Sequence, residues 1–186
     1  AGTFPVQSVS PLTPAGYIFK WGTTTANANN GEGTWVNTAE NMVPAKGYIL
    51  RAPAGFINTL PGNTLTANFV GVPNNGIYSP TIFRGNDYGG VGLQGMPRTA
   101  TDDNWNLVGN PYPSAISVNE FLAANADIQG FVKMWTHGQL PDNATSPFYQ
   151  NYSSNYYPND YITINATGAT SGALGDYRIG SGQGFM

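Results

Sequence analysis

Gly16-Tyr17-Ile18-Phe19-Lys20-Trp21 alternates large rings with other side chains, and that period of two decides the fold class. Successive side chains of a strand point to opposite faces, so Tyr17, Phe19 and Trp21 share one face, Ile18 takes the other, and Lys20 reaches the rim along its methylene stem. Moving outward, Gly47 to Arg51, Thr64 to Val70, Phe131 to Trp135 and Asp160 to Asn165 are likewise short, rich in aromatic and β-branched residues, and bounded by Gly, Pro or Asn. Turn signals separate them at Asn29-Asn30-Gly31, Pro61-Gly62-Asn63, Pro73-Asn74-Asn75-Gly76 and Gly109-Asn110-Pro111. Strands at this spacing predict an all-β fold, an antiparallel β-sandwich or jelly roll. No Pro- or Ser-rich linker divides the chain, so residues 1–186 read as a single β-sandwich domain.

One helix interrupts the strands near 117–125. Ser117-Val118-Asn119-Glu120 has the form of a capping box, in which the serine hydroxyl accepts the Glu120 amide and the glutamate reaches back to the cap amide. Phe121 and Leu122 supply an apolar face, and Asn125 is expected to end the helix in the left-handed region. About two turns cannot stand alone, so this helix must dock on a sheet.

Composition excludes several functions. There is no Cys and one His, His137, so neither thiolate chemistry, disulfides, a structural zinc cluster nor a two-histidine metal site can be built. Charged residues are only 9% of the chain against roughly 25% in ordinary soluble domains, so Asn, Thr, Ser, Gly and Gln must coat the surface. With a net charge of −3 that coat lacks the basic field needed to bind nucleic acid or an anionic membrane. No run approaches the roughly 20 apolar residues of a membrane span, which argues against membrane insertion. The first residues lack the basic-then-apolar pattern of an export signal, and Gly180 to Met186 stops on two apolar residues where a strand is expected to begin. Both features read as an excised piece of a larger secreted or cell-surface protein.

Catalytic machinery is hard to assemble, and no residue is assigned a catalytic role. A glycosidase needs two opposed carboxylates, yet most of the ten acidic residues sit beside Gly, Asn or Pro, where Asp side chains stabilise turns. Glu120 is accounted for as a helix cap. No Gly-x-Ser-x-Gly elbow accompanies His137, so triad chemistry has no nucleophile. Calcium is a better match to the abundant oxygen donors, with Asp102, Asp103 and Asn104 as the first locus and Asp87 as the second, although Asx turns explain both without a metal. Aromatic rings make up 13% of the chain, and the stretch from Phe148 to Tyr161, with Tyr149, Tyr152, Tyr156 and Tyr157, has the composition of a stacking platform for polysaccharide or a cell-surface glycan. The competing reading, that such rings fill a core short of large aliphatics, is preferred. Asn-x-Ser/Thr triplets at Asn143, Asn151 and Asn165 are expected by chance in so Asn- and Thr-rich a chain.

Trp105-Asn106-Leu107-Val108-Gly109-Asn110-Pro111-Tyr112-Pro113-Ser114, followed by Phe121-Leu122, Asn125, Phe131 and Trp135-Thr136-His137, resembles a module of large secreted proteins of gliding and related Bacteroidetes. Pro44 to Pro53, Phe69 to Gly76 and the closing Ile179-Gly180-Ser181-Gly182-Gln183-Gly184-Phe185 are similar to further elements of that module. The resemblance covers roughly residues 40–186. It implies export by the type IX secretion system, placement at the cell surface or in the medium, and a structural or adhesive role beside neighbouring domains of one long chain. It carries no catalytic residues. The physics of the motif agrees: each proline of Asn110-Pro111-Tyr112-Pro113 fixes its own φ and keeps its predecessor extended, which makes a rigid corner. Trp105 and Ile116 are expected to anchor its two sides, with Trp135 on the strand beyond.

Overall fold

The structure, a computed structural model, describes residues 5–26, 32–53, 55–57, 62–87, 90–91, 97–98, 104–128, 130–135, 161–170 and 177–186. Strand β1, Ile18–Ala26, pairs antiparallel with β2, Glu32–Asn37, and with β3, Ile49–Leu50. Trp21 and Trp35 are cross-strand partners whose rings meet edge to face at 5.0 Å. The strand begins later than its sequence suggests. Ala15–Tyr17 is a 3-10 turn, in which the Tyr17 N–H donates to the Pro14 carbonyl, so Tyr17 is exposed and Ile18 is the buried residue of the stretch.

Further along, β4 (Gly90–Val91) pairs with β5 (Pro97–Arg98), β6 (Val108–Gly109) with β12 (Gly184–Phe185), and β7 (Ile116–Ser117) with β11 (Arg178–Ile179). Strands β8 (Phe131–Trp135), β9 (Tyr161–Asn165) and β10 (Gly168–Ala169) form a three-stranded antiparallel sheet. Main-chain bonds join two of these sheets, β6/β12 and β8–β10, to each other and to 45–47. Gly47 N–H donates to Leu107 and Gly109 N–H to Ala45, each at 3.0 Å, so 45–47 flanks β6. Met186 and Lys133 exchange both of their main-chain bonds, which seats the end of β12 on β8. The ladder therefore runs from 45–47 through β6, β12, β8 and β9 to β10.

Its buried face carries the core. Val132 and Ile164 are cross-strand partners, and with Phe185 they pack on Ile179 of β11 and on Val118 and Leu122 of the helix α1, Val118–Ala124. Phe121 meets Phe185 edge to face at 5.2 Å. The serine half of the expected capping box opens helix α1, with Ser117 Oγ accepting the Glu120 N–H at 3.4 Å. It ends differently. Asn125 has φ −127°, outside the left-handed region, because its side chain donates to the Phe121 carbonyl at 2.7 Å and its N–H to Leu122, closing the last turn without a positive φ. The fold is thus all-β and antiparallel with one short helix, and among the described residues no helix is long and apolar enough to cross a membrane.

The expected strand from Thr64 to Val70 is absent. Residues 62–87 run as a strap without ladder pairing, since strand propensity is realised only where an adjoining edge offers partners. Side chains tether this strap instead.

Candidate functional site

Asn110 organises the corner. It is nearly buried; its Nδ2 donates to the carbonyls of Ser114 (2.8 Å), Ile179 (3.1 Å) and Gly180 (3.0 Å), and its Oδ1 accepts the Tyr112 N–H at 3.0 Å. Its own N–H donates to Gln183, and Ser181 Oγ donates to the Tyr112 carbonyl at 2.8 Å. Asn-Pro-Tyr-Pro is thereby clasped to the closing Ser-Gly-Gln-Gly turn, about which sequence spacing says nothing. The strap reaches the same place: Asn74 Nδ2 donates to the Pro111 carbonyl (2.8 Å), Tyr112 OH donates to Gly76 (2.7 Å), and Tyr78 and Tyr112 meet edge to face at 5.8 Å. Ala45-Lys46-Gly47 completes the ring through β6. Four stretches far apart in sequence, all parts of the resemblance, converge on one corner.

Trp105 and Trp135 hold the outer side. Trp105 lies edge-on to Phe131 at 5.8 Å, with Lys133 Nζ 4.5 Å from its ring centroid, and Trp135 stands opposite Tyr161 on β9. Ile116 packs against the core as the other anchor.

Between 42–50, 69–74 and the corner lies a groove of about 470 Å³. Val43, Leu50, Phe69 and Pro113 line it, with Tyr48 and Tyr112 adding rings. Beside it, Glu40 accepts from Lys20, from Lys46 and, at 2.9 Å, from Tyr48 OH, which in turn accepts the Val43 N–H at 3.1 Å. Burial alone raises the Glu40 pKa, but the two ammonium groups and the phenol outweigh it and lower the carboxyl from 4.5 to about 2. Burial, reinforced by that carboxylate, pushes the Tyr48 phenol above its ordinary value. The polar side chains around the groove, Lys46, Tyr48, Asn74, Tyr112 and Ser181, are engaged within the protein, so the groove offers apolar contact. No sequence pattern announced the Glu40 cluster, whose members are separated by up to 28 positions, from Lys20 to Tyr48.

A family model described as a domain of unknown function, DUF8693, matches residues 1–186. The chain belongs to this family. No curated protein and no solved structure matches the chain.

In this DUF8693 domain the two calcium loci read from sequence come together in part. Asn104, at φ 60°, accepts the Gly85 N–H on Oδ1 (2.6 Å) and donates from Nδ2 to Asp87 (2.9 Å), while Arg84 grips the Asp87 carboxylate at 2.8 and 2.9 Å. Asp102 and Asp103 lie outside the described residues, and among the described residues no group of three His, Cys, Asp or Glu side chains could hold a metal. Neighbouring Asn106, which sequence reading passed over, bonds both main-chain groups of Phe83 (2.8 and 2.9 Å), standing in for a missing strand. Tyr149, Tyr152, Tyr156, Tyr157 and His137 also lie outside the described residues.

Proposed function

We propose that this domain is a non-catalytic structural and adhesive module of a secreted or cell-surface protein, one that spaces or packs against neighbouring domains. The observation that carries this reading is the corner: four motif stretches converge there, and their polar side chains are consumed in holding it. Such a site stores shape, and it leaves no opposed acid and base among the described residues of the groove for proton transfer. The rings support the same reading, because Trp21 with Trp35, Trp105 with Phe131, and Phe121 with Phe185 all meet edge to face as packing pairs, whereas a sugar platform wants coplanar exposed faces. The resemblance to Bacteroidetes type IX substrates supplies the location, outside the cell.

The test is incubation of the purified domain with a panel of bacterial and plant polysaccharides, with and without calcium, scoring both retention and cleavage. Neither is expected. Cleavage of any glycan overturns the proposal outright, and retention that disappears in a Tyr156→Ala/Tyr157→Ala variant replaces it with carbohydrate binding. A calcium ion recruited to Asp87 must first displace Arg84 from that carboxylate.

A further inference from the structure

The strap carries more exposed apolar surface than its setting explains. Val70, Val72 and Ile77 are 82%, 80% and 95% exposed, and Phe69, Ile82 and Phe83 are each about half exposed. At roughly 150–200 Å² for a fully exposed large apolar side chain, these six present on the order of 700 Å². Summed along the strap, from Phe69, Val70 and Val72 at the groove to Ile77, Ile82 and Phe83 beyond it, that area approaches the roughly 800 Å² each partner buries in a standard interface. No charged residue occurs between Arg51 and Arg84. The main-chain groups of 77–82 make no hydrogen bond among the described residues. Yet the strap has a set shape: Asn68 N–H donates to Val9, Phe69 lies on Gly182, and Asn74, Gly76 and Phe83 are fastened as described above. A pre-ordered surface loses little conformational freedom on association.

We infer that this strap is a self-association surface on which a second copy of the chain docks, strap against strap. Charge decides the occupant. A partner bearing charges would bury them against a face with no counter-charge, at high cost, whereas the same uncharged strap on a second copy meets no like-charge repulsion and no desolvated ion. A two-fold arrangement uses one patch on both copies and closes on itself, so it yields a dimer rather than a filament. Free N–H and C=O groups at 77–82 would find partners across the axis as well. This inference stands independently of the role proposed above.

Sedimentation velocity and light scattering of the full chain at tens of micromolar test it. Twice the 19.8 kDa mass of one copy is expected, falling to the single mass in a Val72→Lys/Ile77→Lys variant, while Leu12→Lys, an equally exposed apolar site at 79%, leaves the dimer intact. A single-copy mass at every concentration overturns the inference, as does a dimer that survives the strap lysines or is lost equally with Leu12→Lys. Should the double variant fail to fold, hydrogen exchange of the unaltered chain decides: amides of 77–82 are expected to slow as concentration rises, and concentration-independent exchange there overturns the proposal.

Discussion

Asn110 is the residue whose loss should be felt most. Three carbonyls and one N–H depend on its carboxamide, and its site is closed to water. Leaving those groups without partners makes Asn110→Ala destabilising by about 3 kcal/mol, read as a lower midpoint in urea at unchanged slope. Asn110→Asp should cost at least as much at neutral pH, because a carboxylate donates nothing and faces three carbonyl oxygens; an Asp variant as stable as wild type would show that the carboxamide's donors are dispensable. The importance of Asn-Pro-Tyr-Pro as a rigid corner was legible, since proline geometry is local. That Asn110 is its hub was not, because its partners Ile179 and Gly180 are about 70 positions away and no local rule brings them near. Gly47 has the same character: a β-carbon there would stand 3.0 Å from the Leu107 and Val108 backbones, a constraint that appears only once 45–47 flanks β6.

At the scale of elements, a strand or helix was readable where its signal was local and its partner was close in sequence. The start of α1 follows from Ser117 and Glu120, and β8 and β9 from their β-branched and aromatic runs. Ser117→Ala should therefore cost about 1 kcal/mol, the usual worth of a serine cap, and Leu122→Ala about 2–4 kcal/mol for the cavity it opens beneath β9, both measured by denaturant titration. The strap defeated the same rules, because Thr64 to Val70 has strand composition but no edge to join. Electrostatics ties the elements together at Glu40, which links β1 through Lys20 to the 42–48 segment through Lys46 and Tyr48. Its carboxyl is depressed from 4.5 to about 2, so the stability it contributes is present above about pH 4.5 and is lost as pH falls toward 2. Because both lysines reach water, that contribution is on the order of 1–2 kcal/mol, well under the full value of the shift. Glu40→Gln should remove that part of the acid-induced loss, giving a flatter midpoint-against-pH curve between pH 5 and 2; an unchanged curve would assign the acid sensitivity to other groups.

Across the whole molecule, stability should follow the ladder. The run from 45–47 through β6, β12, β8 and β9 to β10 is continuous in main-chain bonds, and its inner face carries Val132, Ile164 and Phe185 against α1 and β11. Opening any of the inner strands β6, β12, β8 or β9 breaks bonds on both sides and exposes core at once, so they should open only with global unfolding. The strap has neither safeguard. Its bonds are one main-chain bond from Asn68 to Val9 and a few side-chain tethers, and releasing Asn74 or Phe83 exposes little that is not already in water. In dilute solution, native-state hydrogen exchange should therefore divide the chain, with the ladder amides of Val132 and Ile164 exchanging at the global unfolding limit and those of 77–82 exchanging orders of magnitude faster. Phe69→Ala, which removes the ring seated on Gly182, should accelerate exchange and proteolytic cleavage across 69–76 while leaving β8 and β9 unchanged. If protection in the strap instead equals that of β8, or if Phe69→Ala lowers both together, the strap unfolds with the sheet and the corner is held by more than the tethers named above.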